Sequence, residues 1–202
     1  YELQVREILS GDASIGILLT GVLALGLVSL RIWGGGIQND IEGYLFGNLL
    51  LVDKESFNLI CTISLISIIF LLFSYKILLI SSIDPLTARV QGVPVRASGL
   101  AFSIITAATV VSMVQVMGVL LVTALLVTPA ATSQLVSSSF RSSFIWSQTF
   151  GFLSVFLGLY YSAELETGSG SMIALVAAII FGTVATLQLA IKPLIWPSQN
   201  SS

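Results

Sequence analysis

The chain has no histidine, a single cysteine and very little charge. The absence of histidine removes the commonest transition-metal ligand and the commonest general base, so a catalytic site of the soluble type is not supported. Cys61 stands alone inside an apolar run and cannot form an intrachain disulfide; it reads as packing. Charged residues make up 9% of the 202 residues, with a formal net charge of -2. That is far below the roughly 25% of an average soluble domain. There is no basic patch to hold nucleic acid, which sets that partner class aside. The sequence contains no GxxxxGK[ST] phosphate loop, no HExxH, no CxxC and no GxSxG, and the short GSGS at 168–171 is no phosphate cradle. The chain is therefore not expected to hydrolyse ATP or to be an enzyme. No charge falls in the middle of an apolar run, which argues against a proton relay or an ion-coupled carrier. The first residues, YELQVREILSGD, are polar and start at Tyr1, unlike a signal peptide, and the sequence reads as a piece of a longer chain.

What is present is hydrophobic length. Apolar residues are 55% of the chain and the mean hydropathy is +1.01, the composition of an integral membrane protein. Residues 13–30 carry no charge, about 27 Å of helix and one hydrocarbon core. A second uncharged run covers 56–75. Between them GGG opens a polar stretch whose middle, 41–52, is apolar enough for a short helix at the membrane surface. Residues 97–140 again lack charge, about 66 Å as helix, so this run must cross twice or fold back. The turn is expected near Gln115 to Gly118. Pro129 then breaks or kinks the returning segment, which should face protein or a cavity because the backbone groups it frees need partners. Thr123, Ala124, Thr128, Ala130, Ala131, Thr132 and Ser133 permit close helix approach there. They fit either bundle packing or a pathway, and Gln115, Thr123, Thr128 and Pro129 are the pathway-lining candidates. Runs at 142–163 and 171–191 complete about six spans. The expectation is an all-α polytopic membrane bundle, one segment Pro-broken, in a single domain over 1–202.

One polar interruption, SIDPLTARVQGVPVR at 82–96, reads as a short capped helix. Asp84 can accept from the first-turn amides, Pro85 suits the first helical position, and Gly92 before Pro94 ends the helix. Six crossings divide the loops into two sets. Arg6, Lys76, Arg89, Arg96, Arg141 and Lys192 fall with this helix and both termini, leaving Arg31 and Lys54 opposite, so the positive-inside rule makes that face cytoplasmic. The opposite face, with Asp40, Glu42, Asp53, Glu55, Glu164 and Glu166, is acidic and would concentrate cations within a Debye length, unless these are simply solvated loop residues.

Four stretches, GDASIGILLTGVLALGL, DIEGYLFGNLLLV, DPLTARVQGVPV and VQVMGVLLVTALLVTPAAT, together with GLYYSAELETGSGSMIALV, resemble the membrane permease of bacterial ABC importers for zinc, manganese or iron(II). The resemblance runs over nearly the whole chain in the same order. It implies a plasma-membrane permease that pairs with a second copy or a paralogue, sits on ABC ATPase subunits that hold the ATP, and receives a divalent metal from an extracytoplasmic metal-binding protein. The family's D-x-x-x-A-R-x-x-G signature falls on Asp84, Ala88, Arg89 and Gly92, which with Pro85 would form the helix that couples to the ATPase. Asp40, Tyr44, Phe46 and Gly47 would belong to the external mouth or gate. Family members carry further spans before the point where this sequence begins, one with a His and an Asp suited to metal, so the chain is expected to lack its N-terminal spans. No metal ligand can be named within it, and the remaining residues do not select among metals. A motor-independent channel or carrier, or a non-conducting scaffold, are the competing readings.

Overall fold

The computed structural model describes residues 11–33, 45–47, 53–83, 88, 90, 92 and 94–195. Its long elements are all helices: α1 (Gly11–Trp33), α2 (Lys54–Ile83), α3 (Val95–Met117), α4 (Val119–Val136), α5 (Phe140–Glu164) and α6 (Ser169–Ile195). All six are long and apolar enough to cross a membrane. The break expected near Gln115 to Gly118 falls at Gly118. Helix α2 continues past the expected end at Tyr75 through Lys76 to Ile83. Lys76 is exposed, and its long aliphatic stem lets a lysine lie along an apolar helix surface while its ammonium reaches water. The expected break at Pro129 does not occur: α4 runs through it as one helix.

The chain forms two compact units. The first comprises residues 1–49 and 117–202. In it α6 packs against α1, α4 and α5, and α4 packs against α1 and α5. Its core gathers Ala24 of α1, Phe46, Leu121 and Ala124 of α4, and Ile173 and Ala174 of α6. Small residues set the helix spacing. A Cβ on Gly21 of α1 would stand 3.0 Å from the Ala178 Cβ of α6, and one on Gly158 of α5 would stand 2.5 Å from the Ile173 Cα. Helix α5 is two-faced. Ser147, Gly151, Ser154, Gly158 and Ser162, spaced four, three, four and four residues apart, form its inner side, while Phe144, Phe152, Phe156 and Tyr160 stand exposed. Successive spacings of three and four hold one face of a 3.6-residue helix, so the alternation of small and aromatic residues decides which side of α5 meets protein.

The second unit, residues 50–116, contains α2 and α3 up to Val116. Ser67, Ala88 and Ser112 are its buried residues among those described.

Candidate functional site

Three sets of residues are the expected functional ones. In the polar interruption, Asp84, Pro85 and Arg89 lie outside the described residues. Ala88 is helical and fully buried, Val90 is helical and exposed, and Gly92 sits in a turn at φ 79°. That left-handed value is what a glycine ending a helix adopts, because a Cβ would meet the following backbone. Pro94 follows, its carbonyl accepting the Ser98 amide at 3.0 Å as α3 begins. The glycine stop read from the sequence is thus present.

At the expected mouth, Asp40 and Tyr44 lie outside the described residues. Leu45 and Phe46 form a helical turn ending at Gly47, φ 67°. Phe46 is wholly buried in the core of the first unit. It fills the space among α1, α4 and α6 and does not face an open vestibule. Two glycines make room for the turn. A Cβ on Gly118 would stand 2.6 Å from both the Gly47 amide nitrogen and the Leu45 carbonyl oxygen, and one on Gly170 would strike the Phe46 carbonyl oxygen and lie 2.8 Å from its Cβ. The start of α4, the start of α6 and the Leu45–Gly47 turn therefore touch backbone to backbone. At the same end the Arg31 Nε donates to the Glu166 carbonyl at 2.8 Å, tying α1 to the loop before α6. The Thr167 amide donates to the Ser162 carbonyl at 3.1 Å, and the Ser162 hydroxyl donates to the Thr167 carbonyl at 2.7 Å. These bonds hold the α5–α6 connection, where Glu166 has φ 50°.

The pathway candidates do not share one surface. Thr128 and Pro129 are buried on the inner face of α4, whereas Thr123 is exposed, its hydroxyl donating to the Leu120 carbonyl at 2.9 Å. Gln115, on α3, is exposed. Pro129 packs toward α5, where a Cβ on Gly151 would lie 3.9 Å from its ring, so the proline-bearing segment faces protein, as its freed backbone requires. Below it the hydroxyls are turned inward: Thr132 donates to the Thr128 carbonyl at 2.7 Å, and Ser133 contacts Ser143 of α5 at 3.0 Å. The Gln188 amide of α6 donates to the Leu135 carbonyl, one of the α4 carbonyls left open at the helix end. This face of α4 packs against neighbouring helices, with the Thr132 and Ser133 hydroxyls engaged.

Sequence reasoning passed over the backbone contacts made by Gly118 and Gly170, the hydrogen bond of Arg31 and the small face of α5. The last was legible as S-x3-G-x2-S-x3-G-x3-S from Ser147 to Ser162. The Arg31 contact carried no local signal, because its acceptor is a backbone carbonyl 135 residues away. Among the described residues no group of three or more His, Cys, Asp or Glu side chains is placed to hold a metal.

Known proteins share this pattern. The chain is 33% identical over 173 residues to the manganese transport system membrane protein MntC of Listeria monocytogenes, covering 86% of this chain and 61% of that one. It is 28% identical over 170 residues to the high-affinity zinc uptake system membrane protein ZnuB of Haemophilus influenzae, covering 84% and 65%. Among solved structures it matches PsaBC from Streptococcus pneumoniae in complex with Fab, with TM-score 0.65 and 31% identity over 87% of this chain and 63% of that one. The chain thus spans about three fifths of the length of the curated relatives it matches. The sequence profile of one family, the ABC 3 transport family, matches residues 3–188, and the chain belongs to that family.

Proposed function

We propose that this chain is the membrane-spanning part of an ATP-binding-cassette importer that moves a divalent transition metal, manganese, zinc or iron(II), into the cytoplasm. The observation that carries the reading is family membership over nearly the whole chain, joined to relatives whose names state manganese or zinc transport. The energy comes from a separate ATPase, which docks on the segment at 84–92 that carries Asp84, Pro85, Ala88, Arg89 and Gly92, with Ala88 buried on its inner side. The buried Ala88 and the left-handed Gly92 support a short, sharply ended helix there. Arg89 supplies a guanidinium fork that can pair with a carboxylate or carbonyl of the ATPase. A preformed helix of this kind loses little freedom on docking. An extracytoplasmic binding protein delivers the metal to the face bearing Asp40 and Tyr44, and a second permease copy or a paralogue completes the pathway. Phe46 and Gly47 act at that face by anchoring the turn that follows Tyr44. Gln115 and Thr123, with exposed polar groups, and Thr128 and Pro129, on the inner face of α4, are assigned to the helices around the pathway. Both termini of the chain lie in the cytoplasm.

The test is assembly and transport together. The full permease, purified with its ATPase and placed in liposomes, is expected to take up radioactive Mn(II) or Zn(II) only with ATP, and Arg89→Glu is expected to release the ATPase and abolish uptake. Uptake without any ATPase would favour the channel reading. Arg89→Glu with complex and transport intact would refute the coupling role.

A further inference from the structure

In the second unit the Ser67 Oγ of α2 lies 2.9 Å from the Thr109 Oγ1 of α3. Each hydroxyl is also within reach of a carbonyl of its own helix, Ser67 of Ile63 at 2.8 Å and Thr109 of Ile105 at 2.8 Å. Two hydroxyls bring two protons to three contacts. When one proton bridges the helices, one hydroxyl gives up its own-helix carbonyl. When the helices part, both protons return to Ile63 and Ile105. Neither state leaves a hydroxyl orphaned, so the usual cost of breaking a buried polar contact is absent. The pair sits near the middle of both helices, Ser67 14th of 30 residues and Thr109 15th of 23. Ser67 and Ser112 are the buried residues of these two helices among those described. Ser112 donates to the Ala108 carbonyl and also approaches that of Thr109, so it adds no second tie.

From this geometry we infer that Ser67 and Thr109 are positioning residues for transport, a releasable tie that sets the register of α2 against α3. The inference rests on the reading of 84–92 as the ATPase-docking segment. That segment joins the two helices in sequence, and a push upon it reaches the far ends of α2 and α3 together only while their register is defined. The tie breaks and remakes as the hairpin shifts in each cycle.

The experiment uses the full permease with its ATPase in liposomes, reading Mn(II) moved per ATP hydrolysed. Thr109→Val keeps the side-chain shape and removes the hydroxyl. It is expected to lower the ratio at least threefold with complex assembly unchanged, Ser67→Ala to do the same, the double variant to be no worse than either, and Thr109→Ser to restore the ratio. Unchanged coupling in the double variant overturns the tie. Should Thr109→Val fail to assemble, a second arm decides: Ser67→Cys with Thr109→Cys in a Cys61→Ser background. There two copper(II) phenanthroline complexes take one electron each and the two thiols lose their protons as the disulfide forms. The locked hairpin is expected to bind its ATPase but stop transport until a thiol reductant reopens it. Full transport while locked, or failure to cross-link, overturns the inference. Arg89→Glu separates the two readings, since a complex that survives it sinks the docking segment, whereas the tie stands or falls on the coupling ratio.

Discussion

Gly118 and Gly170 allow a sharp test of the backbone contact that holds the Leu45–Gly47 turn. At Gly118, φ 76° and ψ 156° lie in a region open essentially to glycine alone. Any side chain there costs about 1–3 kcal/mol in backbone strain. A methyl group would in addition stand 2.6 Å from the Gly47 nitrogen and the Leu45 oxygen, backbone atoms that cannot rotate away. Overpacking of this kind adds about 1–3 kcal/mol. Gly118→Ala should therefore cost about 2–6 kcal/mol, the sum of those two terms. Gly170→Ala, whose methyl would strike the Phe46 carbonyl, should incur the second term alone, about 1–3 kcal/mol. Gly182, in the same helix as Gly170, has nothing within 4 Å of its missing Cβ and serves as the control. Thermal unfolding in detergent measures all three. At about 2–4 °C per kcal/mol for a chain of this length, Gly118→Ala should lower Tm by about 4–24 °C, Gly170→Ala by about 2–12 °C and Gly182→Ala by less than about 2 °C. Equal Tm for Gly118→Ala and Gly182→Ala would refute the contact as drawn.

Three further outcomes follow from the packing of the first unit. Phe46→Ala should cost about 3–5 kcal/mol as a core cavity, read by the same unfolding assay, and a cost under about 1 kcal/mol would place the ring outside the core. A double-mutant cycle of Ser133→Ala and Ser143→Ala should return a coupling near 0.6 kcal/mol, the average for a hydrogen bond between membrane helices, and zero coupling would dissolve the α4–α5 link. Gly151→Ala should be tolerated, because its Cβ would meet the Pro129 ring at an ordinary 3.9 Å, whereas Gly151→Leu should push α5 from α4 and lower the yield of folded protein on size-exclusion chromatography.

The elements most legible in the sequence were those fixed by a one-dimensional constraint. Uncharged runs of about 20 residues must span a bilayer, and such runs mark all six helices. A run of 44 uncharged residues is too long for one crossing, and Gly118, near the polar Gln115 in its middle, is where its helix is interrupted. Helix ends were less legible, since Lys76 looked like a boundary and is an exposed residue within α2. Pro129 misled for a related reason. In water a proline inside a helix tends to end it, but between packed membrane helices the segments on both sides of the proline are already held, and α4 continues. The contacts of Gly118 and Gly170 with the Leu45–Gly47 turn could not be read at all, because they join residues 71 to 124 positions apart by what glycine lacks.

The same contacts explain how a chain so poor in charge fixes the geometry of one end of its bundle. Helices made of Leu, Val and Ile have no hydrophobic incentive to choose one another over lipid, so their arrangement depends on close packing and on the few polar groups available. In the first unit the polar ties between helices described above lie toward the helix ends. Gly118 and Gly170 let backbone meet backbone around Phe46, and Arg31 reaches the Glu166 carbonyl at that same end. At the other end Ser133 meets Ser143, and Gln188 reaches the last turn of α4. Between these anchors the contacts are small residues on apolar faces, such as Gly21 on Ala178 and Gly158 on Ile173. The second unit has a tie between α2 and α3 at mid-height, Ser67 with Thr109. A bundle pinned at both ends resists rotation of its helices, whereas a hairpin tied at its centre keeps its register only while that tie holds. The two units of this permease therefore differ in where their polar groups sit, and the hairpin that carries the proposed docking segment is the one whose tie lies at its middle.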